Sequence, residues 1–363
     1  MVTFGHGPRA ARDRSAVYTR LTERMDARGG ADMPKGILER LAQGPVLGDG
    51  GYLLELEKRG YVQAGPFTPE VAIEHPESLA ELHREFMRAG AEFLTTMTFY
   101  ASDDKLATVG LRDKVDEINR TAVQLARKVA AEGDALVAGD LSLTWAYDHS
   151  DTASADHVRA LFDRQLQDMM DAGPPDFWVG ETFSHLGEAL LFVERAKATG
   201  LPVMVTMCFE QPVPRSYEGD TPDDCARKLA DAGADVVGVN CLNGPDQQLP
   251  IALQMREAVT GYVASQPVAY RTTADRPDFT STPNFPYALS PLQLSRGEMA
   301  SFARRANDAG INVIGSCCGS VAEHVRGMAR ALAKLPEDER EWRSEGGKAM
   351  SAYEYYGHTE TES

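Results

Sequence analysis

Asp231-Ala232-Gly233-Ala234-Asp235-Val236-Val237-Gly238-Val239-Asn240-Cys241 and Asp308-Ala309-Gly310-Ile311-Asn312-Val313-Ile314-Gly315-Ser316-Cys317-Cys318 state one pattern twice. Each opens on Asp-Ala-Gly, the composition of a helix end followed by a residue free to take the left-handed region. A short β-rich run follows, and the turn after it carries cysteine. Three thiols at the carboxyl ends of two predicted strands suit a catalytic metal site with an open fourth position, as zinc uses. The glycines flanking Cys317-Cys318 let the backbone turn and approach a ligand. Free cysteine also fills core space, the competing reading for any single thiol. Cys208 ends another strand-like run near these turns, and Cys225 lies in a helical pattern, so both read as packing residues.

Worked outward, the same alternation covers residues 45–325. Eight runs read as strands, at 46–48, 93–98, 135–139, 177–180, 203–207, 236–239, 268–270 and 312–315. Amphipathic stretches at 79–90, 111–133, 157–172, 185–199, 225–233 and 298–310 read as the helices between most of them. Eight β/α units predict a TIM (βα)8 barrel with N- and C-terminal extensions. The alternative, a doubly wound sheet, would carry a Gly-rich fingerprint after the first strand, where none stands. A barrel places its active site at the carboxyl ends of the strands, where Asp49-Gly50-Gly51, Thr98-Phe99-Tyr100, Asp140, Glu181, Met207-Cys208, Asn240-Cys241, Tyr270 and Cys317-Cys318 fall.

A formal net charge of −17 in 363 residues argues against a nucleic-acid surface. No apolar run has the length of a membrane helix, and five cysteines, odd in number and partly adjacent, make a poor disulfide framework. The expectation is a cytoplasmic protein without membrane partners. Residues 1–35 read as an extension, residues 36–335 as the barrel, and residues 336–363 as a charged, aromatic tail. That tail is either disordered or an arm docking on another subunit of a homo-oligomer.

Read together, Gly238-Val239-Asn240-Cys241 and Gly315-Ser316-Cys317-Cys318-Gly319 resemble the zinc-binding segments of the homocysteine S-methyltransferases, within that family most of all the betaine-using members. The likeness runs from Lys35 to Gly327 and is dense in Gly48-Asp49-Gly50-Gly51, in 56–61, in 64–70 and in Thr98-Phe99-Tyr100-Ala101-Ser102. It implies that Cys241, Cys317 and Cys318 hold Zn²⁺. It implies further that Asp49 and Glu181 receive the amino group of homocysteine beside the backbone of Gly50 and Gly51. Ser316 stands where the family usually has glycine. Phe67 stands where the betaine-using members carry Trp, and Thr182 where they carry Tyr. Since aromatic faces hold a quaternary ammonium, Phe67, Phe99 and Tyr100 would form a partial cage. Trp145 and Tyr147 are candidates for the missing wall, whereas Trp178 reads as core.

The resemblance implies zinc-dependent methyl transfer from a betaine-type donor to the thiol of homocysteine, giving methionine. The thiolate attacks in line with a departing neutral amine, which needs no general acid. Asn240 is expected to orient the Cys241 turn. Rival readings keep the acceptor and change the donor to S-methylmethionine, S-adenosylmethionine, another sulfonium compound or a methylated corrinoid protein. A non-catalytic zinc-binding barrel is the reading from another class.

Overall fold

The computed structural model describes residues 36–63, 68–210 and 212–335. The expectations for residues 1–35 and 336–363, and for Phe67, lie outside the described residues. Eight parallel strands lie in the order β1-β8-β7-β6-β5-β4-β3-β2, a TIM barrel. They are β1 Val46–Leu47, β2 Phe93–Thr95, β3 Leu136–Ser142, β4 Phe177–Phe183, β5 Val203–Met207, β6 Val236–Asn240, β7 Tyr262–Gln266 and β8 Val313–Ile314. The seam between β1 and β2 is joined by the amide of Glu92, which donates to the Leu47 carbonyl, and by the amide of Thr95, which donates to the Asp49 carboxylate. A side chain thus stands in for a ladder bond at that seam.

The two-residue alternation of each strand separates two cores. Outward-facing Leu47, Leu94, Val137, Val205, Val237 and Ile314 pack against the surrounding helices in one cluster. Inward-facing Val46, Phe93, Ala138, Val179, Met204, Val236, Ala264 and Val313 fill the barrel from below. Higher on that inner face the residues turn polar: Thr95, Asp140, Glu181, Thr206, Asn240 and Gln266. The inner wall therefore changes from apolar to hydrogen-bonding where the strands end, and a cavity opens above it.

One strand expectation is corrected. Residues 268–270 are not the seventh strand; β7 is Tyr262–Gln266, and the helix Pro245–Ala258, which periodicity did not reveal, precedes it. Pro250 lies inside that helix and removes a backbone donor, so the segment reads poorly as helical. Tyr262-Val263-Ala264-Ser265-Gln266 hides its strand nature because its inner face carries small and polar side chains. Val268 and Tyr270 are apolar and fully buried, yet they belong to an irregular segment crossing above the barrel. The helix Ala322–Ala331, last among the described residues, is likewise absent from the pattern read in the sequence. Among the described residues, no helix is long and apolar enough to cross a membrane.

Candidate metal centre and substrate cavity

Cys241 follows β6 directly, with φ 54°, and Leu242 after it has φ 53°. Left-handed backbone is costly for these residues and is held only by surrounding bonds. The amide of Cys241 donates to the Gln266 carbonyl at 2.9 Å, and Gln248 Nε2 donates to the Cys241 carbonyl at 3.1 Å. The segment misread as a strand is the brace between both cysteine turns. The Val268 amide donates to Asn243, the Cys317 amide to Pro267, and the Ala269 amide to Cys318. Residues 77 positions apart are joined by this brace, and Cys241 Sγ lies 3.7 Å from Cys318 Sγ. Cys317 Sγ is 4.0 Å from Cys318 Sγ, and all three sulfurs fall within 4.8 Å of one another. A tetrahedral zinc with Zn–S bonds of about 2.3 Å requires sulfurs about 3.8 Å apart, so the set fits that ion.

The electrostatics agree. Hydrogen bonds from the neighbouring thiols hold Cys241 far below its usual range, while Cys317 and Cys318 are pushed well above theirs. A divalent ion bound there would let all three ionise. Leu54, Val268, Tyr270, Phe279 and Leu289 enclose Cys241 in apolar surroundings.

Gly51 packs directly beneath this turn. A Cβ added there would sit 2.6 Å from the Cys317 carbonyl oxygen, a backbone atom. Gly51→Ala is therefore expected to displace the Cys317-Cys318 turn and weaken zinc binding by about tenfold or more, without touching a sulfur. Competition with a chromophoric chelator measures it; unchanged affinity would show that the turn tolerates the shift.

The cavity beside the sulfurs, about 640 Å³ including its mouth, is lined by Asp49, Gly50, Gly51, Phe99, Asp140, Glu181 and Thr182 among others. Asp49 is 2% exposed. Its Oδ2 accepts from the Tyr52 hydroxyl at 2.6 Å and the Thr95 amide at 2.7 Å, and its Oδ1 from Thr95 Oγ1 at 3.1 Å. Burial raises its carboxyl to about 6. Glu181, at the inner face of β4, is raised to about 8 by burial, then by the Cys241 and Asp49 charges. Asp140, on β3, is also pushed well above the carboxylate range, by burial and then by Glu181 and Asp49. A cation entering the cavity would favour the ionised form of these three carboxyl groups, so they suit a cationic ligand.

Asn240 does not orient the Cys241 turn as expected. Its Nδ2 donates to Glu181 Oε2 at 2.7 Å and Thr182 Oγ1 at 2.9 Å, and its Oδ1 accepts from the Thr182 amide and Thr206 Oγ1, each at 2.9 Å. All four of its hydrogen-bonding positions are used. Asn240 instead fixes Glu181 and the strained Thr182, whose φ is 63°. The reason is geometric: its side chain points into the barrel, away from the turn that its successor begins.

The expected aromatic residues separate. Thr98 is fully buried and donates to the Asp140 carbonyl instead of lining the cavity. Phe99, Tyr100 and Trp145 do come together, with ring centroids 4.2 Å and 4.9 Å apart. They face a lysine of the chain itself, whose burial pushes its ammonium well below the usual range. Lys105 Nζ lies 3.5 Å from the Tyr100 centroid and 4.2 Å from that of Trp145, and donates to the Leu143 carbonyl. Tyr147 packs against His185, away from the cavity wall. Trp178 is core, its Nε1 donating to Thr199. Cys225 is buried on the helix Pro222–Asp231, and Cys208 is buried beside Ser184.

Sequence reasoning missed Gln266 and Thr95 on the cavity wall and Lys105 over the rings. Gln266 was hidden by the misplaced seventh strand. The lysine carried no signal, since Asp103-Asp104-Lys105 reads as an exposed helix start.

A family model described as homocysteine S-methyltransferase matches residues 46–332. The chain is 43% identical to betaine–homocysteine S-methyltransferase 1 of Bos taurus over 84% of its own length and 76% of the relative's. It is 45% identical to the protein of that name from Danio rerio, over 84% and 78%. It is also 40% identical to an S-methylmethionine–homocysteine S-methyltransferase of Pongo abelii, over 82% of each. Among solved structures, the metallated form of the Escherichia coli homocysteine methyltransferase MmuM superposes with a TM-score of 0.64. That match has 23% identity and covers 79% of this chain and 96% of that one, a likeness of fold.

Proposed function

We propose, on the premise that this chain belongs to the homocysteine S-methyltransferase family, that it methylates homocysteine to methionine at a zinc ion held by Cys241, Cys317 and Cys318. The observation that carries this reading is the three sulfurs, spaced for a tetrahedral ion, beside a buried acidic cavity. Bound there, Zn²⁺ would supply a position at which the substrate thiol ionises near neutral pH.

The chain's own residues do the rest. Asp49 and Glu181 are assigned to the α-ammonium of homocysteine. Gly50 and Gly51, without side chains, allow the substrate to lie close to the backbone. The apolar shell of Leu54, Val268 and Tyr270 shields Cys241 from water. Transfer to a thiolate releases a neutral amine from a quaternary donor, so no side chain must deliver a proton.

A betaine-type quaternary ammonium is our donor assignment. Its support is the 43–45% identity to relatives named for betaine and an acidic cavity that draws a cation. The second reading, an S-methylmethionine donor, is favoured by the 40% relative of that name and by the engagement of Tyr100 and Trp145 with Lys105.

Methionine formation from homocysteine is the test, with glycine betaine, S-methylmethionine, dimethylsulfoniopropionate and S-adenosylmethionine as parallel donors. Betaine is expected to give the highest kcat/KM. Turnover with a sulfonium donor alone would reassign the donor and leave the acceptor chemistry in place; no turnover with any would overturn the reading.

A further inference from the structure

Among the cavity carboxylates of the described residues, Asp140 is the one with a fully buried oxygen that has no hydrogen-bond partner. Its backbone is pinned: the amide donates to Thr96 Oγ1 at 2.8 Å, and the carbonyl accepts from Thr98 Oγ1 at 2.6 Å. Its side chain is only 1% exposed and lines the cavity. Among the described residues, Oδ1 is buried with no partner. Asp49 already accepts three hydrogen bonds, and Glu181 Oε2 accepts that of Asn240. Lys105, nearby, forms no ion pair with Asp140; its Nζ is turned to the Leu143 carbonyl and the Tyr100 and Trp145 rings.

A second, independent acceptor faces the same space. Gln266 Oε1, on β7, is buried without a partner, and Gln266 is 6% exposed and lines the cavity. Buried acceptors left unmet are costly and rare, and a carboxylate more so. What would answer both is a cation that carries N–H groups. A quaternary ammonium or a sulfonium centre has the charge but no N–H to donate, so neither satisfies them.

We propose that Asp140, with Gln266 Oε1, recognises the primary α-ammonium of an amino-acid substrate, in the case of homocysteine together with Asp49 and Glu181, and so sets substrate specificity. This rests on the reading of the chain as a homocysteine methyltransferase. Two substrates share the chemistry: homocysteine itself, and an amino-acid sulfonium donor such as S-methylmethionine. Glycine betaine lacks it.

Asp140→Asn keeps the shape and removes the carboxyl group that would ionise against a bound ammonium. The zinc-loaded full chain would be assayed with homocysteine and with 4-sulfanylbutanoate, the same thiol without the amino group, each with betaine. The assay would then be repeated with S-methylmethionine against betaine as donor. Titration calorimetry of both thiols gives a binding readout independent of turnover. If homocysteine is the source, its efficiency relative to 4-sulfanylbutanoate falls about tenfold or more in the variant, as for loss of a hydrogen bond to a charged group. If the amino-acid donor is the source, the fall is confined to S-methylmethionine. Equal losses for all substrates, or no loss for any, would overturn the inference. Asp140→Ala provides the same ratios should the asparagine variant fail to fold. Absence of wild-type turnover would instead reject the parent reading, while the calorimetric ratio would still test Asp140.

Discussion

Cys317→Ala is expected to leave the barrel folded while abolishing stoichiometric zinc and nearly all turnover. Cys317 lies in the turn after β8 and is partly buried, so truncating it removes little packing. The brace is untouched, because its bonds to this turn are made by the backbone of Cys317 and Cys318. What is lost is one of three sulfurs, and Cys241 and Cys318 alone leave a tetrahedral ion two positions short. A catalytic metal contributes several kcal/mol of charge stabilisation, and about 4 kcal/mol corresponds to roughly a thousandfold in rate. Metal content by mass spectrometry, methionine formation and far-ultraviolet circular dichroism separate the effects. Cys225→Ser, on a helix away from the sulfurs, should alter stability alone. Full zinc occupancy in the Cys317 variant would sink the three-sulfur centre.

Glu181→Gln should raise the KM for homocysteine by roughly 10- to 150-fold, from about 1.5–3 kcal/mol for a hydrogen bond to a charged group. Asn240 Nδ2 already donates to Glu181, which dictates how glutamine must sit. Its carbonyl oxygen takes that bond, leaving an NH₂ group toward the cavity, where an ammonium would meet a donor instead of an acceptor. A KM equal to that of the parent would remove Glu181 from the amino-group site.

Protonation of Asp49 has a related consequence with two opposite signs. Burial raises its carboxyl from 3.8 to about 6, so between those values the folded chain binds more protons than the unfolded one. Stability then falls as pH rises through that window, by linkage. Homocysteine affinity rises over the same window, because only the ionised carboxylate attracts the ammonium. Urea unfolding and calorimetric binding between about pH 4 and pH 7 should therefore run in opposite directions, and Asp49→Asn should reduce both slopes, leaving the part due to Glu181.

Much of this was legible from local pattern. The β/α alternation is written in side-chain periodicity, and seven of the eight strand positions follow from it. The cysteines after β6 and β8, and Asp49 after β1, were visible because a barrel gathers strand ends at one rim. The seventh strand failed because its inner face is the cavity wall: Gln266 faces the ligand space, and the apolar Val268–Tyr270 signal belongs to the brace.

The sequence by itself determined the barrel and the family, since both are written in residue type and periodicity along the chain, and it singled out the three cysteines as candidates. Only the tertiary structure decided which polar groups are satisfied. Asp49 and Asp140 are the same residue type on neighbouring parts of one wall, yet one accepts three hydrogen bonds and the other's Oδ1 has none. Lys105 over Tyr100 and Trp145, like the brace across 77 residues, exists only once the barrel has closed. Hydrogen bonds and charge interactions depend on distances of a few ångströms between segments far apart in the chain, and no local periodicity encodes those distances.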